Sequence, residues 1–138
     1  MKKTNVLFVC VGNSCRSQMA EGYARAWGAA AMNARSAGIS AIDFISPAVI
    51  EVMREEGIDI TDQRPEQISR EMIEWADRVI ALGGCPESFY PDLLADKLIH
   101  WPTPDPFGQS TDRAREVRDI IKTRITDLII DLEMALKR

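Results

Sequence analysis

The feature that most constrains this chain is the abrupt change of pattern within its first two dozen residues. Residues 5–10 read NVLFVC, a short apolar run typical of a strand covered on both faces. A small polar loop follows at residues 11–15, and from Arg16 to Trp27 apolar side chains recur at helical spacing. This succession of buried strand, tight turn and helix predicts an α/β fold with a central parallel strand.

The same alternation continues along the chain. Further strands are predicted at residues 32–37, 78–82 and 97–101. Helices are predicted from Pro47 to just before Gly57, over 69–76, and from 111 to the end, with 86–92 irregular. Because the carboxyl ends of parallel strands face one crevice, three loops should meet there. These loops are residues 10–16, 83–85 and 102–108.

Length and charge exclude several classes of function. With 138 residues and 46% hydrophobic content, we expect one domain spanning residues 1–138. The net charge of -4 leaves no broad basic face for nucleic acid or anionic lipid. The longest apolar runs fall far short of the roughly 20 residues that span a bilayer. Three cysteines, an odd number, favour reduced thiols, so we expect a cytoplasmic protein. We also expect a monomer.

The loop after the first strand carries the predicted chemistry. A helix start presents unpaired N–H groups and partial positive charge, which suits an oxyanion. Arg16 adds a two-pronged donor that matches two oxygens of phosphate or arsenate. The predicted substrate-binding residues are the glycine, asparagine and hydroxyl-bearing positions of the loop with their neighbours, namely Val11, Gly12, Asn13, Ser14, Cys15 and Ser17.

Cys10 lies directly before this cradle, in the field that favours a thiolate, the form that attacks. A free cysteine that ends a buried strand is often only a small apolar side chain. Here a cysteine and an arginine six residues apart flank a polar loop at a strand-to-helix junction, which favours a catalytic Cys10. His100, the one histidine, lies near the proline-rich loop, so we interpret it as structural.

The segment CVGNSCRSQMAEG, residues 10–22, resembles the active-site signature of the low-molecular-weight protein tyrosine phosphatase superfamily. Its form NSCRSQMAEG looks most like the arsenate reductases that recycle through thiols, whereas the phosphatases more often have proline in place of Gln18. The resemblance continues through SAG at 36–38, GIDITDQR at 57–64 and the Asp105-Pro106 pair. It covers essentially the whole chain.

The resemblance implies a three-layer α/β fold with a four-stranded parallel sheet flanked by helices and the active-site loop between the first strand and first helix. It also implies that Cys10 is the nucleophile, Arg16 clamps the oxyanion and Asp105 is the general acid. Asp105 lies between two prolines, a rigid setting for a carboxyl group. An Asp-Pro pair can also be a simple turn.

The resemblance leaves two activities, an arsenate reductase and, as the alternative, a tyrosine phosphatase that hydrolyses aryl phosphate through a Cys10 phospho-enzyme. The phosphatase needs only Cys10, Arg16 and Asp105. The reductase needs a resolving thiol and an external thiol system such as thioredoxin or glutaredoxin. A module that binds phosphate without catalysis would be favoured if Cys10, Arg16 or Asp105 were missing, but all are present.

Cys85 is the candidate resolving thiol, because it follows a strand and two glycines at the same predicted edge as Cys10. It can also be an incidental loop cysteine. Cys15 can be inert, a protective partner of Cys10 or the resolving thiol. Reductases recycled by thioredoxin commonly carry a second cysteine just before a proline, where this chain has Tyr90. The choice among thioredoxin, glutaredoxin and a small thiol therefore stays open.

Two further expectations concern the surroundings of the loop. Phe107-Gly108 stands where the phosphatases often carry paired tyrosines, which favours a small inorganic substrate over a phenyl ring. In some related reductases a potassium ion is bound at positions that match Asn13, Glu21, Ser36 and Asp62. Hydrogen bonds that hold the cradle are the other interpretation of these four residues. No clustered His or Cys set suggests zinc.

Overall fold

The computed structural model describes residues 2–137 and contains one four-stranded sheet in the order β2-β1-β3-β4. The strands are β1 (Thr4–Cys10), β2 (Met32–Gly38), β3 (Arg78–Ala81) and β4 (Leu98–His100). Every pairing is parallel, and Cys10 lies in register with Gly38. The predicted α/β class and the four-stranded parallel sheet are confirmed.

Five helices connect and cover the strands: α1 (Arg16–Trp27), α2 (Pro47–Arg54), α3 (Arg70–Trp75), α4 (Pro91–Leu94) and α5 (Thr111–Leu136). Two of them begin with a serine cap: the hydroxyl of Ser69 accepts from Met72 N, and that of Ser110 accepts from Arg113 N. The prediction that residues 86–92 are irregular is wrong in part. A 3₁₀ turn (Pro86–Ser88) and α4 lie there, each with a proline in its first turn, where the missing N–H is not needed.

The sheet separates two apolar layers because alternate residues of β1 point to opposite faces. Val6 and Phe8 pack in the larger layer with α1, α2 and α5, whereas Leu7 and Val9 pack in the smaller layer with α3 and α4. These four side chains have no exposed surface. The buried run NVLFVC is thus a central strand covered on both faces, and its carboxyl end lies at the crevice edge.

Charged side chains join the helices of the larger layer. Arg118 of α5 is 7% exposed and donates to Val52 O and to Glu55, each at 2.8 Å. The hydroxyl of the buried Tyr23 donates to Glu56 at 2.9 Å. These contacts join α5 and α1 to the C-terminal end of α2 and the two glutamates that follow it. Within residues 2–137 we find no helix with the length and apolar character to cross a membrane.

Candidate active site

The loop between β1 and α1 forms the floor of a small pocket of about 170 Å³. Four of the lining residues come from outside the loop, from the segment after β2 and from the proline-rich loop before α5. The pocket is lined by Cys10, Val11, Gly12, Ser14, Cys15, Arg16, Ser40, Ile42, Asp105 and Phe107. The structure therefore brings together most of the predicted site residues.

The backbone of this loop turns its carbonyl groups away from the pocket. The carbonyls of Cys10, Val11, Gly12 and Ser14 accept hydrogen bonds from backbone N–H groups of the segment 39–46, at 2.8 to 3.1 Å. By contrast, the N–H groups of residues 11–15 have no hydrogen-bond acceptor anywhere in residues 2–137. Unpaired N–H groups before a helix start are the donors that an oxyanion needs.

A chain of hydrogen bonds aims a donor at the Cys10 thiol, which is buried at 2% exposure. The amide nitrogen of Asn13 donates to Ser17 Oγ at 2.7 Å and to Ser36 Oγ at 3.0 Å. Because that amide donates to Ser17, the hydrogen of the Ser17 hydroxyl is left for Cys10 Sγ, 2.9 Å away. A hydroxyl donor on sulfur stabilises the negative charge of a thiolate.

Asn13 and Ser17 were predicted to bind substrate, but neither lines the pocket. Both are fully buried behind the loop. Asn13 has a φ of 51°, and its side-chain oxygen accepts from Glu66 N at 2.8 Å. The side chains of these two residues support the cradle and the thiol, while any contact with substrate falls to the backbone N–H of Asn13.

Arg16 is anchored on one side and open on the other. Its Nη1 donates to Thr103 O at 2.8 Å and to Leu82 O at 3.3 Å. The Nε atom is buried and has no hydrogen-bond partner among the described residues. Nη2 lies 3.7 Å from Asp105 Oδ2. One edge of the guanidinium, Nε with Nη2, therefore remains for two oxygens of a bound anion.

Gly83 is a site residue that the sequence did not identify as one. Any Cβ at this position would clash with Nη1 of Arg16. The glycine thus allows the guanidinium to lie flat against the loop after β3 and to reach the carbonyl of Leu82. The glycine pair after a strand was a visible signal, but the sequence alone did not show that Gly83 packs against Arg16.

Asp105 lies at the pocket with a half-exposed carboxyl group. Its Oδ1 accepts from Phe107 N at 3.0 Å, which fixes the side chain in a turn, and its Oδ2 faces Arg16. This is the place from which a carboxyl could deliver a proton to an oxygen of an anion bound on Arg16. The acid role stays a prediction.

The three cysteines are all free thiols in different settings. Cys15 is buried and lines the pocket with Cys10. Burial, aided by the nearby Asp105 and Cys10, raises the pKa of the Cys15 thiol to about 12, so Cys15 is a protonated and weak nucleophile at neutral pH. Cys85 is exposed and does not line the pocket. The structure thus does not bring Cys85 to Cys10.

His100 lies outside the pocket, where its ring nitrogen is 2.7 Å from Glu87 Oε2. This hydrogen bond lowers the pKa of the Glu87 carboxyl. Glu87 belongs to the turn that follows Cys85, and His100 ends β4. The pair therefore joins the Cys85 segment to the edge strand, as expected for a structural histidine.

Three of the four residues matched to a potassium site, Asn13, Glu21 and Ser36, have protein partners. The buried Glu21 accepts from Ser36 Oγ at 2.5 Å and pairs with Arg25 Nε at 2.7 Å. Burial raises the pKa of the Glu21 carboxyl, while Ser36 and Arg25 act in the opposite direction. Among residues 2–137 no group of three or more His, Cys, Asp or Glu could hold a metal ion. Arg25 thus supplies a positive charge beside Glu21. A potassium ion at these residues stays a prediction.

The segment 39–46 shapes the mouth of the pocket. Ile42 lines the pocket, and Ser14 Oγ donates to Phe44 O at 2.8 Å. The exposed rings of Phe44 and Phe107 lie 6.3 Å apart between centroids. Two loops far apart in sequence therefore place an aromatic pair beside the pocket.

Comparison with known proteins assigns the family. The family model for low molecular weight phosphotyrosine protein phosphatase matches residues 5–138. The chain belongs to this family. Among its relatives is a glutaredoxin arsenate reductase of Synechocystis sp., 40% identical over 130 residues, which cover 94% of this chain and 97% of that protein.

Solved structures share the fold. An arsenate reductase in the phosphate binding state superposes with a TM-score of 0.84 at 37% identity, covering 94% of this chain and 98% of the other. The YwlE arginine phosphatase from Geobacillus stearothermophilus superposes with a TM-score of 0.89 at 28% identity, covering 96% and 94%. Both activities that the sequence suggested therefore occur, in the general sense of reductase and phosphatase, among proteins of this fold.

Proposed function

We propose that this protein reduces arsenate to arsenite, with Cys10 as the nucleophile and the 10–17 loop with Arg16 as the oxyanion ligand. The observation that carries the oxyanion role is the set of unpaired N–H groups of residues 11–15 around a buried thiol. Arsenate as the oxyanion is supported by 40% identity, over 94% of the chain, to a protein named as an arsenate reductase.

In the first step the Cys10 thiolate attacks arsenic. A sulfur–arsenic bond forms, and one arsenic–oxygen bond breaks, its oxygen leaving as water once it has been protonated. Arg16 Nε and Nη2 and the loop N–H groups hold the remaining oxygens. Asp105, 3.7 Å from Arg16 Nη2, is placed to deliver the proton to the departing oxygen.

In the second step the Cys85 thiolate attacks Cys10 Sγ. A disulfide forms, the sulfur–arsenic bond breaks, and its electron pair stays on arsenic, which leaves as arsenite. Arsenic gains the two electrons that the two sulfurs lose. Cys15 is the weaker candidate for this attack, because its raised pKa keeps it protonated. Since Cys85 lies outside the pocket, the segment after Gly83-Gly84 must move inward for this step.

A dithiol protein then returns two electrons and two protons to the Cys10–Cys85 disulfide. The exposure of Cys85 supports attack by another protein on that sulfur. The name of the Synechocystis relative supports glutaredoxin over thioredoxin as the reductant. We propose further that the enzyme works as a cytoplasmic monomer with a single domain over residues 1–138, which light scattering after gel filtration tests for the oligomeric state.

A phosphatase is the second candidate, and the Phe44–Phe107 pair favours it. These exposed rings could flank the organic group of a phosphate ester, as a phosphatase requires. The same Cys10, Arg16 and Asp105 would form and hydrolyse a phospho-enzyme with no second thiol. Aryl phosphate and phosphoarginine are the substrates to test, the latter because a solved structure of this fold is an arginine phosphatase.

The deciding experiment follows NADPH consumption by the reduced protein with arsenate and either the glutaredoxin or the thioredoxin system. We expect turnover with glutaredoxin, its loss in Cys85→Ser, and its retention in the matched control Cys15→Ser. Turnover lost in Cys15→Ser instead would transfer the resolving role to Cys15. If neither system supports turnover, while Cys85→Ser hydrolyses aryl phosphate or phosphoarginine as fast as the parent, the reductase proposal is wrong and the phosphatase stands.

A further inference from the structure

Gln18 and Gln63 are two side chains that the mechanism above does not use. Gln18 lies in the first turn of α1 and is fully buried. Its Nε2 donates to Asn13 O at 3.0 Å, and its Oε1 accepts from Gln63 Nε2 at 2.7 Å. Gln63 Nε2 also reaches Gln18 O at 3.1 Å. Two amide side chains therefore connect the segment before Pro65 to the backbone of the oxyanion loop.

The carbonyl that they hold is the exception in the loop. The carbonyls of Cys10, Val11, Gly12 and Ser14 are held by backbone N–H groups of the segment 39–46. Within residues 2–137, the backbone hydrogen bonds outside regular helices and strands include none that the carbonyl of Asn13 accepts. The side-chain amide of Gln18 takes the place of the missing backbone donor.

The conformation at Asn13 makes this contact consequential. Asn13 is the one non-glycine residue with positive φ in the described chain, at 51°. That conformation is sparsely populated and persists when the surroundings hold it. A carbonyl that turned toward the pocket would bring a negative oxygen to the site of the anion and displace the neighbouring N–H groups. Gln18 is placed to prevent that rotation.

The two amides also set each other's orientation. When Gln18 Nε2 donates to Asn13 O, the other end of the same amide, Oε1, faces Gln63. That oxygen needs a donor, so Gln63 must turn its Nε2 toward it. The Gln63 side chain is partly buried, so this outer bond is shielded from water but not sealed. Loss of Gln63 would release the amide of Gln18 to rotate and weaken its bond to Asn13 O.

We propose that Gln18, oriented by Gln63, is a positioning residue that holds the oxyanion loop in its binding conformation. The proposal rests on the oxyanion role of the loop and applies whether the bound anion is arsenate or a phosphate ester. Its test is therefore the binding of inorganic phosphate to the reduced protein by titration calorimetry, which involves no turnover and no reductant.

We expect Gln18→Met to raise the dissociation constant for phosphate about tenfold and Gln63→Met about threefold, the size of one well-placed and one indirect hydrogen bond. Because Gln63 acts through Gln18, the double variant should bind as Gln18→Met does, which is a coupled, non-additive result. Tyr23→Phe is the matched control. It removes a hydrogen bond from a buried side chain of the same helix, and its phosphate affinity should equal that of the parent.

Phosphate affinity unchanged in Gln18→Met, or effects of the two substitutions that simply add, would overturn the proposal. An equal loss in Tyr23→Phe would also overturn it, because the effect would then follow general stability. Thermal unfolding of each variant confirms that binding is measured on folded protein. If Gln18→Met folds poorly, Gln63→Met still tests the proposal, because Gln63 is only partly buried. Failure of the parent protein to bind phosphate would reject the oxyanion-binding role of the loop, and with it the positioning role of Gln18 and Gln63.

Discussion

Two loops leave neighbouring strands of the sheet at the same edge, each carries a cysteine, and they are built in opposite ways. The loop after β1 is buried from Asn13 to Cys15. Beside it, Cys10 receives the Ser17 hydroxyl at 2.9 Å from a network that reaches back to Glu21. In the segment 83–90 after β3, Gly83 packs against Arg16 and Tyr90 packs against the smaller apolar layer. The side-chain ion pair recorded there is half-exposed and joins Glu87 to His100. Cys85 there is exposed.

The difference matches two chemical tasks. A nucleophile under a set of N–H donors gains from a fixed geometry, because preorganised dipoles need no rearrangement during reaction. A thiol that must visit the pocket and then meet a reductant gains from weak local structure, since low-stability segments move readily. Under the proposed mechanism the first loop is the fixed part of the site and the second is its moving part.

The largest expected effect separates the two cysteines. Cys10→Ser should abolish arsenate reduction and phosphate-ester hydrolysis alike, because no other thiol occupies the floor of the cradle in a reactive state. Cys85→Ser should abolish arsenate reduction alone. Assays of both reactions on both variants check this, and any residual reduction by Cys10→Ser would contradict the assignment of the nucleophile.

The two adjacent glycines give the next contrast. Gly83→Ala would force a Cβ into the guanidinium of Arg16, so we expect about a 100-fold loss of kcat/KM in either reaction, the scale of a displaced oxyanion ligand. In Gly84→Ala the new Cβ would contact the flexible end of the Ile39 side chain, and the backbone φ of 79° is unfavourable for alanine. We expect a loss of about 1 kcal/mol in the free energy of unfolding. Kinetics and thermal unfolding of the pair separate the two effects. Equal kinetic losses would reject the packing role of Gly83.

Loss of the Ser17 hydroxyl beside Cys10 should have a smaller effect than Gly83→Ala. Ser17→Ala removes the donor at 2.9 Å from Sγ and should slow alkylation of Cys10 by iodoacetamide about tenfold at neutral pH. Ser88→Ala, in the exposed turn after Cys85, is the matched control and should leave the alkylation of Cys85 unchanged. Peptide mass spectrometry of a labelling time course measures both. No slowing in Ser17→Ala would mean that the hydroxyl does not support the thiolate.

The smallest effect on function concerns Cys15. Burial is the first cause that raises its pKa to about 12, so Cys15 should be the last cysteine to be alkylated between pH 7 and 9. The folded pKa lies above the ordinary value of about 8.5, so the protonated form is favoured by folding. This contribution to the free energy of unfolding is complete below pH 8.5 and is lost as pH rises toward 12. In Cys15→Ala that part of the pH dependence should be absent. Labelling of Cys15 as fast as Cys85 at pH 8 would contradict the assigned environment.

Much of the fold and part of the site could be predicted from local pattern. NVLFVC predicts a covered strand because five apolar residues in a row, 6–10, leave no polar face for solvent. The segment 86–92 was predicted irregular because its prolines look like breakers, although each lies in the first turn of a helix. Asn13 and Ser17 were placed in the loop correctly, yet the direction of their side chains was not predictable from spacing.

The sequence by itself determined the α/β class, the strand-to-helix junction at Cys10 and Arg16, and the resemblance that the family match confirms. These follow from local periodicity and from residues close together along the chain. The tertiary structure alone decided that Gly83 packs on Arg16, that the segment 39–46 holds the loop carbonyls, and that Cys85 stays outside the pocket. The first two sets of contacts join residues 29 to 67 positions apart, and only the packing of the sheet fixes which atoms meet.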